Sequence, residues 1–185
     1  VLSRLTDCPL PDLLCSGAEM PRAELARLVK LGQAALARHH DAEEPSAVLA
    51  ALGGFDIAVM VGVMLVASSR RHVLAVDGLA ACAALMAASR IAPPVTDYCV
   101  FCRSHSHRGL DQALNLFRAS ALLELGMDSM DGTGATLAWP MIRCAAALLS
   151  EVADDEELLG DATFDSVQGE LDVNPTQRFG GPAMY

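Results

Sequence analysis

The stretch His72-Val73-Leu74-Ala75-Val76 runs directly into Asp77-Gly78 and then into the alanine-rich segment Leu79 to Ser89. Read as a strand, it is apolar on both faces. Such a strand needs cover on both sides, as the strands of parallel sheets do. The segment after it reads as a helix and is broken by Ala92-Pro93-Pro94. A second strand candidate, Asp97 to Cys102, leads into the polar loop Arg103 to Arg108, and Gly109 opens a helix from Leu110 to Ser120. Strand, helix, strand and helix in that order predict an α/β fold with a parallel sheet.

In such sheets ligands sit at the carboxyl ends of the strands. Three polar loops are expected there: Asp77-Gly78, Arg103 to Arg108, and Asp128 to Gly134. The third contains Met130-Asp131-Gly132-Thr133-Gly134, reached through the short apolar stretch Leu122 to Leu125, and a long apolar helix begins as it ends. Gly132 and Gly134 permit close approach and unusual backbone angles, and the helix start offers free N–H groups. Asp131 would be an acid or base at the rim, and Thr133 a hydroxyl or N-cap. The plainer reading of the same residues is a turn followed by a capped helix. Within that helix Trp139 and Met141 are expected in the core. Cys144 shares a face with Leu137, Met141 and Leu148, which predicts packing for it.

The earlier part of the chain reads as helical. Leu2 to Thr6 is short and partly apolar, and a Pro- and Asp-rich loop runs on through Cys15-Ser16-Gly17. Pro21 to His39 follows as a helix with Leu25, Leu28, Leu31, Ala35 and Leu36 near a 3.6-residue period. His39-His40 ends it, where a histidine interacts favourably with the helix dipole. After the charged break Asp41 to Pro45, Ser46 is expected to cap a helix over Ala47 to Leu52. Gly53-Gly54 then separates it from a helix over Phe55 to Ser68, ended by Arg70-Arg71. The longest fully apolar run, Ile57 to Ala67, is too short to span a bilayer and reads as a buried segment.

With 185 residues the chain has room for one domain with a sizeable core. Residues 1–153 are expected to form the α/β domain. Residues 154–185, beginning with Asp154-Asp155-Glu156-Glu157, are expected to be an acidic segment and mobile tail. A net charge of −10 argues against a nucleic-acid surface. It leaves anionic substrates open, since backbone N–H groups and one or two cations can build a phosphate site. Six cysteines without a secretory leader read as reduced thiols in the cytoplasm. The opening Val1-Leu2-Ser3, lacking an initiator Met, reads as a cut through a longer protein.

Several of these stretches, in this order, resemble the nicotinate-nucleotide–dimethylbenzimidazole phosphoribosyltransferase family, of the lower-ligand branch of cobalamin biosynthesis. They are the run Val48-Leu49-Ala50-Ala51-Leu52-Gly53-Gly54-Phe55-Asp56-Ile57-Ala58, then Val76-Asp77-Gly78, Asp97-Tyr98, and Asp131-Gly132-Thr133-Gly134-Ala135 through Pro140. Leu5-Thr6 and Leu25-Ala26-Arg27 match more loosely. The resemblance covers roughly Leu2 to Val152, the later half of a family chain. It implies a three-layer α/β/α fold with an accessory helical part.

The implied reaction is attack by a benzimidazole nitrogen on C1′ of the ribose of nicotinate mononucleotide, with nicotinate leaving. A carboxylate takes the proton from the other ring nitrogen. No metal, cofactor or nucleophilic side chain is implied, and a homodimer is. Carried across, the family's base, a Glu in Gly-Glu-Gly-Ser/Thr-Gly, falls on Asp131, flanked by Gly132, Thr133 and Gly134. Asp77 and Gly78 fall on its Asp-Gly strand end. Its histidine-containing loop beside the phosphate falls on Arg103, Ser104, His105, Ser106, His107, Arg108 and Gly109, where only the glycine is kept. Its glycine-rich phosphate loop falls near Cys15 to Glu19, with Gly17 retained. A lysine of the family falls on Leu28, and an arginine before the base on Asp128. The family's other glycine-rich loop, Gly-Glu-x-Gly-Ile-Gly-Asn-Thr-Thr, would fall before Val1.

Two functions follow: a phosphoribosyltransferase, or a non-catalytic binding or structural homologue that keeps the fold without the phosphate contacts. A zinc site at Cys99, Cys102, His105 and His107 has the ligand types, but residues three apart on a strand face opposite sides.

Overall fold

The structure is a computed structural model. It describes residues 1–14, 21–104, 106, 108–127, 129 and 132–159, with side chains to residue 151. The chain divides into two compact units, Val1–Ala145 and Ala146–Tyr185. Gly17, His105 and Asp131 lie outside the described residues, as do His107, Asp128, Met130 and the expected tail.

The first unit opens with α1 (Leu2–Thr6), α2 (Leu10–Leu13), α3 (Arg22–Arg38), α4 (Pro45–Leu52) and α5 (Phe55–Ser69). Strand β1 (Leu74–Asp77) and helix α6 (Leu79–Ile91) follow, then a 3₁₀ turn over Pro93–Tyr98. The chain continues with β2 (Cys99–Cys102), α7 (Arg108–Leu116) and α8 (Thr133–Leu159). β1 and β2 pair in parallel, Leu74 against Cys99 through Asp77 against Cys102. The α/β class and the parallel pairing are therefore as the sequence predicts, in a mostly helical molecule with a small sheet.

Helix α6 is the centre of the first unit. Its residues Cys82 to Ala88 are buried one after another, so no face of it is left to water. It packs against α5, α4, α1, α7, β1 and the 3₁₀ turn. A helix apolar all round has to be enclosed on all sides. Alanines at 83, 84, 87 and 88 let several elements approach it at once, while Leu85 fills the largest share of volume.

Several expectations are corrected. The loop expected after Thr6 contains a short helix, α2. The cap of α4 is Glu44, with Pro45 as the first helical residue, and no side chain, including that of Ser46, hydrogen-bonds there. The second strand starts at Cys99, because Pro93 and Pro94 draw Asp97 and Tyr98 into the 3₁₀ turn. Helix α7 stops at Leu116, since Arg118 turns left-handed at φ 52° and the Ala119 N–H returns to the Leu114 carbonyl. Arg71 ends α5 in the same way at φ 59°. In α3, Leu31 faces solvent, although Leu25, Leu28, Ala35 and Leu36 are half-buried.

The apolar run 57–67 is buried along one face only. Val61 and Met64 face the core, whereas Phe55, Val59, Val63 and Val66 are exposed. Trp139 and Met141 are likewise exposed, and so is Cys144. The inward stripe of α8 is instead Gly134, Ala138 and Ile142, at four-residue spacing, and its two small residues bring the helix backbone close to its neighbours. Of the second unit, residues 146–159 are described and continue α8 as helix through the acidic run.

Ala87 is fully enclosed and Phe55 is 94% exposed. Ala87→Leu is expected to lower unfolding free energy by about 1–3 kcal/mol through overpacking. Phe55→Ala is expected to stay within about 0.5 kcal/mol of the parent. Urea titration followed by circular dichroism measures both.

Candidate functional site

The three loops expected to converge do so around one carboxylate. Asp77 is the last residue of β1, 7% exposed, and no Lys, Arg or His among the described residues pairs with it. Its Oδ1 accepts the backbone N–H of Ser104 at 3.0 Å and the Ser104 hydroxyl at 2.7 Å. Its Oδ2 accepts the N–H of Gly132 at 2.9 Å and that of Ala135 at 3.1 Å. Ser104 is itself fully buried, and its carbonyl accepts the backbone N–H of Ser129 at 3.2 Å and the Ser129 hydroxyl at 3.0 Å. The ends of both strands and the start of α8 are thus tied into one network.

The geometry follows from local sequence. Gly78, which caps α6, holds φ 92° and ψ 163°, a region essentially closed to residues with a Cβ. It turns the chain out of the strand while leaving Asp77 pointing inward. At α8 the Thr136 N–H bonds the Gly132 carbonyl at 3.0 Å, so Gly132 is the cap and Thr133 the first helical residue. The expectation of Thr133 as the helix cap is therefore corrected. Gly132, at φ 91°, has no side chain to accept the third N–H of the helix. Oδ2 of Asp77 accepts that N–H instead, and its charge lies at the positive end of the helix dipole.

Gly134 serves packing. A methyl group there would sit 2.6 Å from both the carbonyl carbon and oxygen of Arg103 and 2.9 Å from its nitrogen. The Leu122 N–H bonds the Phe101 carbonyl at 2.8 Å, so the stretch leading to the third loop starts alongside β2.

Arg103 is held by protein partners. Its guanidinium pairs with Asp111 at 2.7 Å and Glu124 at 3.2 Å and reaches the Ser106 hydroxyl at 3.4 Å. Its side chain is only 12% exposed, and Ser106 is exposed. A cavity of about 60 Å³ lies between Arg103, Ser106, Glu124 and residues 125–127. Ser129, Asp111 and Glu124 are participants that sequence reasoning missed. A loop serine that acts through its amide and hydroxyl on a backbone carbonyl, and carboxylates in other elements, leave no motif. Among the described residues no group of three His, Cys, Asp or Glu side chains could hold a metal ion. No described helix is long and apolar enough to cross a membrane.

Burial, reinforced by the Asp97 charge, pushes the Cys99 thiol up to about 11, and burial with the nearby Asp77 does the same for Cys102. Cys102 is fully enclosed at the register position opposite Asp77.

The same order of strands, loops and helix occurs in known proteins. Residues 1–158 match the family described as Phosphoribosyltransferase. The chain belongs to the nicotinate-nucleotide–dimethylbenzimidazole phosphoribosyltransferase family. It is 45% identical over 153 residues to the protein of that name from Cupriavidus necator, covering 83% of this chain and 44% of the relative. It is 45% identical over 156 residues to that of Ralstonia nicotianae, covering 83% and 43%. Among solved structures, CobT from Thermus thermophilus superposes with a TM-score of 0.70 at 28% identity, covering 80% of this chain and 44% of that one. The chain thus spans less than half the length of the relatives it matches.

Two outcomes check the site. Gly134→Ala is expected to destabilise by about 1–3 kcal/mol, because the obstructing atoms are backbone. Gly62→Ala, where a Cβ meets nothing within 4 Å inside α5, is expected to stabilise by about 0.5–1 kcal/mol. Paired urea midpoints decide.

The raised thiols set a second expectation. Their neutral form is favoured by folding, so the stabilisation is complete below the ordinary value of 9.0 and is lost as pH rises through about 11. Cys102→Ala should flatten that alkaline fall, as read from urea midpoints at a series of pH values.

Proposed function

We propose that the protein transfers phosphoribose from nicotinate mononucleotide to a benzimidazole-type base, releasing nicotinate, in the lower-ligand branch of cobalamin biosynthesis. The observation that carries this reading is the joining of the two strand-end loops with the loop that opens α8, in a chain 45% identical to enzymes of that name.

Asp131 is the proposed base. In the sequence it lies between Ser129, which bonds the Ser104 carbonyl, and Gly132, whose N–H bonds Asp77. It would accept the proton released from one ring nitrogen when the other attacks C1′, so that the new C–N bond forms as the bond to nicotinate breaks. Thr133 and Gly134 would place α8 N–H groups beside the substrate, and Gly78, Gly132 and Gly17 would give it room. Of the Arg103 to Ser106 loop, His105 and Ser106 would face the phosphate. Arg103 braces the loop through its carboxylate partners, and Ser104 braces it through Asp77.

The reading includes the cytoplasm as location, a homodimer as the working form, small-molecule substrates, and no nucleic-acid or membrane partner. Residues 1–153 would make up the share of the family domain present in this chain.

An aspartate reaches about 1.5 Å less far than a glutamate, and a misplacement of about 1 Å can cost on the order of 10²-fold in rate. Nicotinate release with dimethylbenzimidazole, measured on the full gene product carrying this chain, tests the assignment. Asp131→Asn should abolish turnover, and Asp131→Glu should hold or raise it. An unchanged rate in Asp131→Asn overturns the base assignment. Tight nicotinate mononucleotide binding without any nicotinate release overturns the enzyme reading in favour of a binding homologue.

A further inference from the structure

We propose that Asp77 is a positioning residue for this reaction: its carboxylate sets the backbone of the Asp131 loop and does not itself touch substrate. The inference deepens the proposed function and rests on it for its catalytic arm.

The first ground is acceptor capacity. A carboxylate offers about four lone-pair positions on its two oxygens. In Asp77 two donors approach Oδ1 and two approach Oδ2, at 2.7–3.1 Å, and all four belong to the protein. A ribose hydroxyl or a ring N–H would have to displace one of them. The displaced group would be a backbone N–H at a strand end or helix start, or the hydroxyl of a fully buried serine. Leaving such a donor unpaired is costly.

The second ground is where the donors sit. The Gly132 N–H belongs to the peptide unit that joins Gly132 to residue 131. The Ala135 N–H is the third of α8, so one oxygen spans the junction between loop and helix. On the other side, Oδ1 grips Ser104, whose carbonyl grips Ser129, two residues before the proposed base. The loop is therefore held on both flanks of position 131 by bonds that lead back to one carboxylate.

The third ground is that the position admits no simple substitute. Asparagine matches the shape of aspartate but turns one acceptor oxygen into an NH₂ donor facing N–H groups. Either the Ser104 pair or the Gly132–Ala135 pair would lose its acceptor. Glutamate would move the carboxylate by about 1.5 Å into a network with no slack at 2.7–3.1 Å.

The test has a structural and a catalytic arm. In this chain, amide hydrogen exchange of Asp77→Asn should show lost protection at Gly132, Ala135 or Ser104, while α6 amides around Leu85 stay protected. Ser104→Ala removes a single bond and serves as the milder variant should Asp77→Asn fail to fold; it should loosen the same amides in part. In the full gene product, Asp77→Asn should lower kcat on the order of 10²-fold, with KM for nicotinate mononucleotide within about threefold of the parent. A KM rise at near-constant kcat would mean that Asp77 binds substrate, and would overturn the proposal. Unchanged exchange at all three amides, or loss of α6 protection in Ser104→Ala as well, would also overturn it. Absence of turnover in the parent protein would count against the function and leave the exchange result to decide the role of Asp77.

Discussion

Four hydrogen bonds to the Asp77 carboxylate hold together the part of the fold where both strands end and α8 begins. Burying a carboxylate is costly unless its oxygens are satisfied, and among the described residues no Lys, Arg or His pairs with this one. Here three backbone N–H groups and one hydroxyl do so, and the N-terminus of α8 adds its positive dipole end. The arrangement works in both directions. The helix start needs an acceptor that Gly132 cannot supply, and the carboxylate needs donors that solvent does not reach.

Around that network the glycines have distinct tasks. Gly78 turns the chain at φ 92° so that the carboxylate stays inside, and Gly134 lets the α8 backbone rest on the Arg103 backbone. Many residues that carry the family resemblance have such structural work. Val48 is fully buried, and a Cβ on Gly53 would sit 2.6 Å from the Leu49 carbonyl oxygen. The shared motifs are in large part the conditions for bringing these loops together.

The helices show a contrast in how apolar residues are used. Helix α6 is enclosed on every side over Cys82 to Ala88 and built largely of small residues there, whereas α5 and α8 turn part of their own apolar surface outward. All three are rich in apolar residues, and what differs is the number of elements packed around each. The thiols of Cys99 and Cys102 belong to the same buried layer, where low polarity keeps them protonated well above the usual thiol range.

The alternation of strand and helix, the parallel pairing and the meeting of two strand-end loops with the loop before α8 were legible in the sequence. Proline breaks and glycine turns act locally, through backbone geometry; the expected cover on both faces of the first strand is corrected, since β1 begins at Leu74 and leaves Ala75 exposed. The family was legible for a related reason, since its motifs combine those same local requirements. The inward faces of α5 and α8 were not legible, because a run apolar at nearly every position carries no period to point one side at the core. Nor could residue types reveal that Asp77 spends every acceptor on the protein, or that Arg103 is bound by Asp111 and Glu124. Those partners lie between 8 and 58 residues away in the chain, and only packing of β1, β2, α7 and α8 brings their atoms within hydrogen-bonding distance.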